Sequence, residues 1–382
     1  MMNKIPLVLL SALVLSLGAC AKKNDCSIAL MTSSTITKPG YNKAMQYGCR
    51  LIIDRVNEMG GIQGKQIGLE VFDDNGNPEL AKEHARRIAR RKDIVAVVGY
   101  VLPECLRAAR DVYDRGGIPV ITPTVSDMGI LGKSRTVFRN CFNDEKEGTM
   151  LATYSMESLA TERVFLLIQG NECYAQMAAV YETTSAGVIE VVGKMRFEPG
   201  EVEFSNLALK VKSHDPDLIV IAGGFREAGL IAGELRKNRI RIPIIGASEM
   251  MHRGFIDIAS EDRAEGAMAV TPFLYLKNLN ERMDAFNDGY AKLSGRNATW
   301  VAFITAEAAS MAIAAMRSAG FDRAKVIEAL QGMNEKNPYD GIAGKVYFDA
   351  QGECTRPVII AQVIKGKWSI AEKQLRKSEK IY

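Results

Sequence analysis

The chain carries few of the residues from which catalytic and metal sites are built. Its 382 residues include only three histidines, His84, His214 and His252, far apart along the sequence. No CxxC pair and no cysteine–histidine group has zinc-ligand spacing, so neither a metal nor another cofactor is expected. A GxGxxG turn is missing after the first apolar segment, which leaves a nucleotide reading little support, and GxSxG and HExxH are missing too. Without a triad, paired carboxylates or a metal cluster at a defined spacing, an enzyme is disfavoured. The formal net charge of +4 is spread along the chain, so nothing asks for nucleic acid. The densest basic run, Arg86-Arg87 with Arg90-Arg91-Lys92, has the spacing of a solvated helix face.

Near the start, Lys4 precedes the apolar run Ile5–Leu17, and Gly18, Ala19 and Cys20 follow it. A charged start, a short apolar core and small residues before a cut describe a secretory signal peptide over residues 1–19. The core is well short of the roughly 20 residues a membrane-spanning helix needs. Leu-Gly-Ala-Cys resembles the bacterial lipobox, in which the cysteine is acylated and becomes the new N-terminus. The expectation is a protein tethered outside the cytoplasm through a lipid on Cys20, in the periplasm if the host is diderm. Six cysteines remain: Cys26, Cys49, Cys105, Cys141, Cys173 and Cys354. An even number in that setting permits disulfides, and Cys26 with Cys49 would join the first strand to the first helix.

Beyond Cys26, short apolar runs alternate with helical stretches. Strands are expected at Ser27–Met31, Ile67–Phe72, Ile94–Val98 and Pro119–Ile121. A second series is expected at Arg163–Ile168, Val188–Val192, Leu218–Ala222 and Ile242–Ile245. Helices fall between them, among them Tyr41–Met59 and Pro78–Arg91. Continuous apolar strands alternating with helices imply parallel sheets covered on both faces, and the two series imply two α/β lobes of one plan. In such sheets a ligand sits at the carboxyl ends of the strands. The loops Thr32–Gly40, Gly99–Cys105, Thr122–Met128, Gln169–Tyr174, Gly223–Glu227 and Gly246–His252 would therefore line a cleft.

The segment VNEMGGIQGKQIGLEVFDDNGNP resembles the amino-terminal signature of the periplasmic Leu/Ile/Val-binding protein family. The likeness continues through VVGYV, GGIPVITPTVSD, VFRNCFND, DLIVIAGGF, IPIIGASEM and GKVYFDAQGE, in order. It implies a type I periplasmic binding protein fold, two doubly wound parallel-sheet lobes joined by three hinge crossings. The crossings are expected near Asn143–Glu145, Thr271–Phe273 and Asp349–Gly352. One lobe would hold residues 24–144 with 273–349, the other 145–272 with 350–382. The implied role is a solute receptor that closes on an amino-acid-like molecule and delivers it to an ABC permease. A tethered sensor of the same fold, without a transport role, is the alternative.

Carried over residue by residue, the resemblance implies ligand contacts at Tyr41 after the first strand and at Thr124 and Ser126 in ITPTVSD. It implies others at Tyr174 and Phe225 in the second lobe. The acid that holds a ligand ammonium falls on Ser248 or Glu249, according to a one-residue choice of alignment. In the loop YVLPECL, with Tyr100 and Glu104 as candidate contacts, the family's serines are replaced by Leu102, Pro103 and Glu104. These supply no hydroxyl, and Pro103 supplies no amide proton either. Free leucine, isoleucine and valine are therefore expected to bind poorly, and a cationic or amide group facing Glu104 would suit the site better. Trp300 and Phe303 are expected in the core, with pocket closure from the hinge side as the other option. Cys105, Cys141 and Cys173 are expected near the cleft, bridged rather than catalytic.

Overall fold

The computed structural model describes residues 26–34 and 40–375, so the signal segment, Cys20 and residues 35–39 lie outside the described residues. The first lobe begins with β1 (Cys26–Thr32), α1 (Tyr41–Glu58), β2 (Ile67–Asp73) and α2 (Pro78–Arg90). It continues with β3 (Ile94–Gly99), α3 (Pro103–Gly116), β4 (Val120–Thr122) and β5 (Val137–Arg139). The second lobe opens with α4 (Asp144–Glu157), β6 (Arg163–Gln169), α5 (Glu172–Ser185), β7 (Glu190–Phe197) and α6 (Leu207–His214). Then come β8 (Leu218–Ala222), α7 (Phe225–Lys237), β9 (Ile244–Gly246), a 3₁₀ turn at Ser248–Met251, α8 (Arg253–Ala259), α9 (Glu261–Ala264) and β10 (Met268–Thr271). The chain returns to the first lobe for α10 (Glu281–Ser294), α11 (Trp300–Ala319), α12 (Arg323–Gln331), β11 (Tyr339–Gly341), β12 (Gly344–Phe348) and β13 (Cys354–Thr355). It ends in the second lobe with β14 (Ile359–Ile364) and β15 (Lys367–Ile370).

The first sheet has the order β2-β1-β3-β4-β5, all parallel. The second repeats that order as β7-β6-β8-β9-β10 and then adds β14 and β15. β14 runs antiparallel to β10 and β15 antiparallel to β14, so the second sheet is mixed where a parallel one was expected. A small antiparallel sheet, β11-β12-β13, completes the first lobe. Each large sheet carries an apolar core on both faces, as two-sided burial of continuous apolar strands requires.

Local sequence explains the elements that frame the cleft. In α2, Pro78 occupies the first turn and the Asn77 side chain accepts from the amides of Glu79 and Leu80, an N-cap. The motif before it is a structural lock. Both the amide and the carbonyl of Ile67 bond the Asn57 side chain at 2.8 Å. Gly61 has φ +78°, and a Cβ there would stand 1.9 Å from the Lys65 carbonyl oxygen, so only glycine fits. The helix α11 is apolar all round and long enough to cross a membrane, yet most of it is buried in the first lobe as a core element. Phe303 lies in that core.

The crossings follow from which core each residue joins. Phe138 packs in the first lobe and Phe142 in the second; Val270 packs in the second and Phe273 in the first. Cys354 packs in the first and Val358 in the second. The third crossing thus lies after β13, some residues later than Asp349–Gly352, because Cys354 and Thr355 pair with Phe348 and Tyr347. Two buried ion pairs tie down this region. Arg139, with none of its side chain exposed, holds Glu353 at 3.1 Å and the Asp127 carbonyl at 2.7 Å. Arg356 pairs with Glu307 of α11, each side chain 2% exposed. No disulfide joins two of the described cysteines: Cys49 is a buried thiol, so the bridge to Cys26 is not made.

Candidate functional site

A cavity of about 440 Å³ lies between the lobes, within the size range of small-molecule sites. Its first-lobe wall comes from the loop after β3 and the start of α3 (Val101–Glu104 and Arg107), and from the loop after β4 (Thr124–Asp127). Its second-lobe wall comes from the starts of α4 and α5 and from Ser248 and Glu249 after β9. These are the carboxyl ends of the strands, where an open α/β sheet offers room between diverging loops.

The second-lobe wall presents a defined polar pair. Asn171 caps α5 by accepting from the Tyr174 amide, which sets Tyr174 in the first helical turn. From there the Tyr174 hydroxyl donates to Glu249 Oε2 at 2.8 Å. Burial, with the Glu249 charge next in weight, holds the Tyr174 phenol well above its ordinary pKa, so it stays a donor. Ser248 lines the cavity beside Glu249, and its hydroxyl and its amide both donate to Glu147. Burial, without a countercharge, pushes Glu147 up to about 8, and Asp144 and Glu249 add to the effect.

The first-lobe wall departs from the expected contacts. The Thr124 hydroxyl donates to the Tyr100 carbonyl at 2.8 Å, and the Ser126 hydroxyl bonds Asp144. Tyr100 is not a cleft residue. Its φ of +72° turns the side chain inward, where it is fully buried and its hydroxyl meets that of Tyr113 at 2.7 Å. Glu104 is exposed and lines the cavity with Leu102 and Pro103. Phe225 stacks on His252 at 4.0 Å between centroids and stays outside the cavity lining. Tyr41 lines a neighbouring cavity of about 250 Å³ and packs edge-on against Trp300, which borders both cavities. The Glu249 charge reaches it there. Cys141 and Cys173 line the cavity, whereas Cys105 is buried with its thiol toward Asp74. Burial raises the Cys141 thiol far above neutrality, which leaves it unreactive.

Asp127, Asp144, Glu147 and Arg107 also line the cavity, and sequence reasoning did not select them. Asp144 and Glu147 stand three apart at the start of α4, on one helix face. That spacing was the available signal. Among the described residues no group of three or more metal-ligating side chains occurs.

Two lobes of repeated topology around a polar cleft define a solute-binding protein rather than an enzyme. The sequence model described as "Periplasmic binding protein" matches residues 29–367, and the chain belongs to that family, whose members work outside the cytoplasm. A Leu/Ile/Val-binding protein homolog of Brucella melitensis is 24% identical over 345 residues, covering 89% of this chain and 91% of the relative. BraC3, a Leu/Ile/Val-binding protein of Rhizobium johnstonii, is 27% identical over 240 residues; the match spans 62% of this chain and 65% of that protein. Among solved structures, a branched-chain amino acid transporter substrate-binding protein of Streptococcus pneumoniae in complex with isoleucine superposes with a TM-score of 0.81. It shares 24% identity and covers 91% of this chain and 99% of its own. A solute-binding protein of R. palustris in complex with benzoate gives 0.76 at 18% identity, covering 91% and 95%. These likenesses establish the fold.

Proposed function

We propose that the chain is a lipid-anchored extracytoplasmic receptor that closes on a small amine-bearing, amino-acid-like solute and presents it to an ABC permease. The observation that carries this reading is the Tyr174–Glu249 pair at 2.8 Å in the cleft wall, a phenol donor and a carboxylate placed to receive an ammonium group. Relatives named for leucine, isoleucine and valine support an amino-acid-like ligand, while the benzoate complex warns that the fold alone does not choose one. Anchoring rests on Leu17–Cys20, and presentation to a permease on the family.

Two experiments test it. A thermal-shift panel of amino acids, amides and amines should find a ligand; one present at a hundred times its dissociation constant adds about 2.7 kcal/mol of stability. For that ligand, Glu249→Gln should weaken binding by about 1.5–3 kcal/mol, the scale of a charged hydrogen bond. Normal binding by Glu249→Gln would remove the ammonium assignment. Separately, Cys20→Ser should move the protein from the membrane fraction to the soluble one, and unchanged retention would defeat the anchor.

A further inference from the structure

The cavity's charge pattern reaches beyond a single ammonium partner. Four carboxylates, Asp127, Asp144, Glu147 and Glu249, line the cleft. Beyond the burial that raises both, the buried Arg139 guanidinium draws Asp144 down and Asp127 pushes it up, while Asp144 and Glu249 both raise Glu147. They come from the loop after β4, from α4 and from the turn after β9, so both lobes contribute. Against these and the acids at Glu104 and Glu172, the lining holds one cation among the described residues, Arg107, which Asp127 already engages at 3.0 Å.

Two of these acids are buried and incompletely partnered. Asp144 is 1% exposed: Ser126 and Cys173 bond its carboxyl and the Arg139 charge acts on it, yet its Oδ2 has no hydrogen-bond partner; Asp127 is 3% exposed, with Arg107 on Oδ2 and nothing on Oδ1. Both belong to the cavity wall. A buried carboxylate oxygen without a donor is costly, and a ligand that brings one recovers the cost. The same end of the cleft has little to offer an anion. The hydroxyls of Thr124 and Ser126 are spent on the Tyr100 carbonyl and on Asp144, and Pro103 has no amide proton. Helix N-termini attract anions. Here α3, α4 and α5 each carry their own acid in the first turn: Glu104, Asp144 with Glu147, and Glu172.

We propose that the cleft selects a small linear dication, a diamine or guanidino-amine without a free carboxylate. One cationic group would sit on Glu249 and Tyr174, the other on Asp144 and Asp127. The inference rests on the receptor reading of this same cleft and specifies its ligand class. Glu147 lies between the two ends, faced by Asp144 on its own helix, by Glu249 and Ser248 from the 3₁₀ turn, and by the Tyr174 phenol from α5. Its carboxyl, pushed up to about 8, holds a proton at neutral pH, and an arriving cation favours the ionised form. Binding of a dication therefore releases a proton and tightens as pH rises from 6 to 8. Binding of a carboxylate would favour the protonated form and weaken over the same range.

The test is titration calorimetry on the full protein dialysed free of carried-over solute, with agmatine and cadaverine as dications, leucinamide as a single cation, and leucine. The dications should bind at least tenfold more tightly than leucinamide, about 1.4 kcal/mol or more, and leucine should bind most weakly. Repeating the titration in buffers of different ionisation heat should show the released proton. Asp144→Asn should lower dication affinity at least tenfold and leucinamide affinity less. Should that variant not fold, Glu104→Gln, at an exposed position, should lower dication affinity by severalfold. Submicromolar leucine binding that weakens with rising pH would overturn the proposal and leave the receptor reading standing. Silence from every compound, amino acids and aromatic acids included, would overturn both.

Discussion

At the scale of single residues, Glu147 couples the cleft to pH in the ligand-free protein. Its folded pKa, about 8, lies above the ordinary 4.5, so the folded state holds the proton more tightly than the unfolded chain. The stability it contributes is full below about 4.5, falls as pH rises towards 8 and is flat beyond. Glu147→Gln should flatten that slope and make the ligand-free protein more stable than the parent at pH 8.5, by a few kcal/mol. Urea unfolding across the pH series measures it, and a slope that survives the substitution would assign the dependence to Asp144 or Glu353, which burial also raises. Residue-level detail was the least legible part of the sequence. Tyr174, and Glu249 as one of two choices, were legible only through the family resemblance, and both sit in segments that follow strands and line the cavity. Tyr100 follows a strand too, yet its left-handed backbone sends the ring into the core, and one-dimensional position does not reveal a φ of +72°. Thr124 and Ser126 are in the expected loop, but their hydroxyls are claimed by groups distant in sequence.

At the scale of elements, agreement is closest in the longer apolar strands, although β5 and β10, buried throughout, were not expected as strands. The strand expected at Leu218–Ala222 is β8 to the residue, and its five positions are all buried. Agreement fades at sheet edges. The strand β7 runs on to Phe197, well past the expected Val192, because its exposed edge alternates polar and apolar residues and lacks a continuous apolar run. The pairing of β14 against β10 could not be read, since nothing local distinguishes an antiparallel partner. Helix contacts are set by small residues as much as by apolar stripes. In α1, a Cβ on Gly48 would stand 2.5 Å from the Ala302 carbonyl oxygen of α11. Helix propensity alone favours alanine there by about 1 kcal/mol. The clash is with backbone, which cannot swing aside, and overpacking of this kind costs about 1–3 kcal/mol. Gly48→Ala should therefore lower stability on balance, a shift in the urea midpoint with unchanged slope, and a stabilised variant would show that the two helices can part cheaply.

At the scale of the whole molecule, the ion pairs beside the crossings decide how firmly the third linker is held. Glu307→Ala would leave the Arg356 guanidinium buried without its partner, at a cost of about 3–5 kcal/mol. Replacing both, as Glu307→Leu with Arg356→Met, should restore most of the loss, since a well-packed apolar pair can match a buried ion pair. Thermal unfolding of the three proteins measures this, and equal loss in the single and double variants would mean that the charges do more than satisfy each other. The return of the chain to each lobe has a consequence for how the protein comes into being. The first sheet is complete by Arg139, but α11, which covers one of its faces, arrives only at residues 300–319. The second sheet likewise waits for β14 and β15 at residues 359–370. A chain that emerges N-terminus first thus holds the first sheet with one face uncovered from Arg139 until α11 follows, and the second sheet two strands short until β14 and β15 follow. Neither lobe is an early folding unit, so both must close late and nearly together, and until then the nascent chain depends on being kept apart from others of its kind.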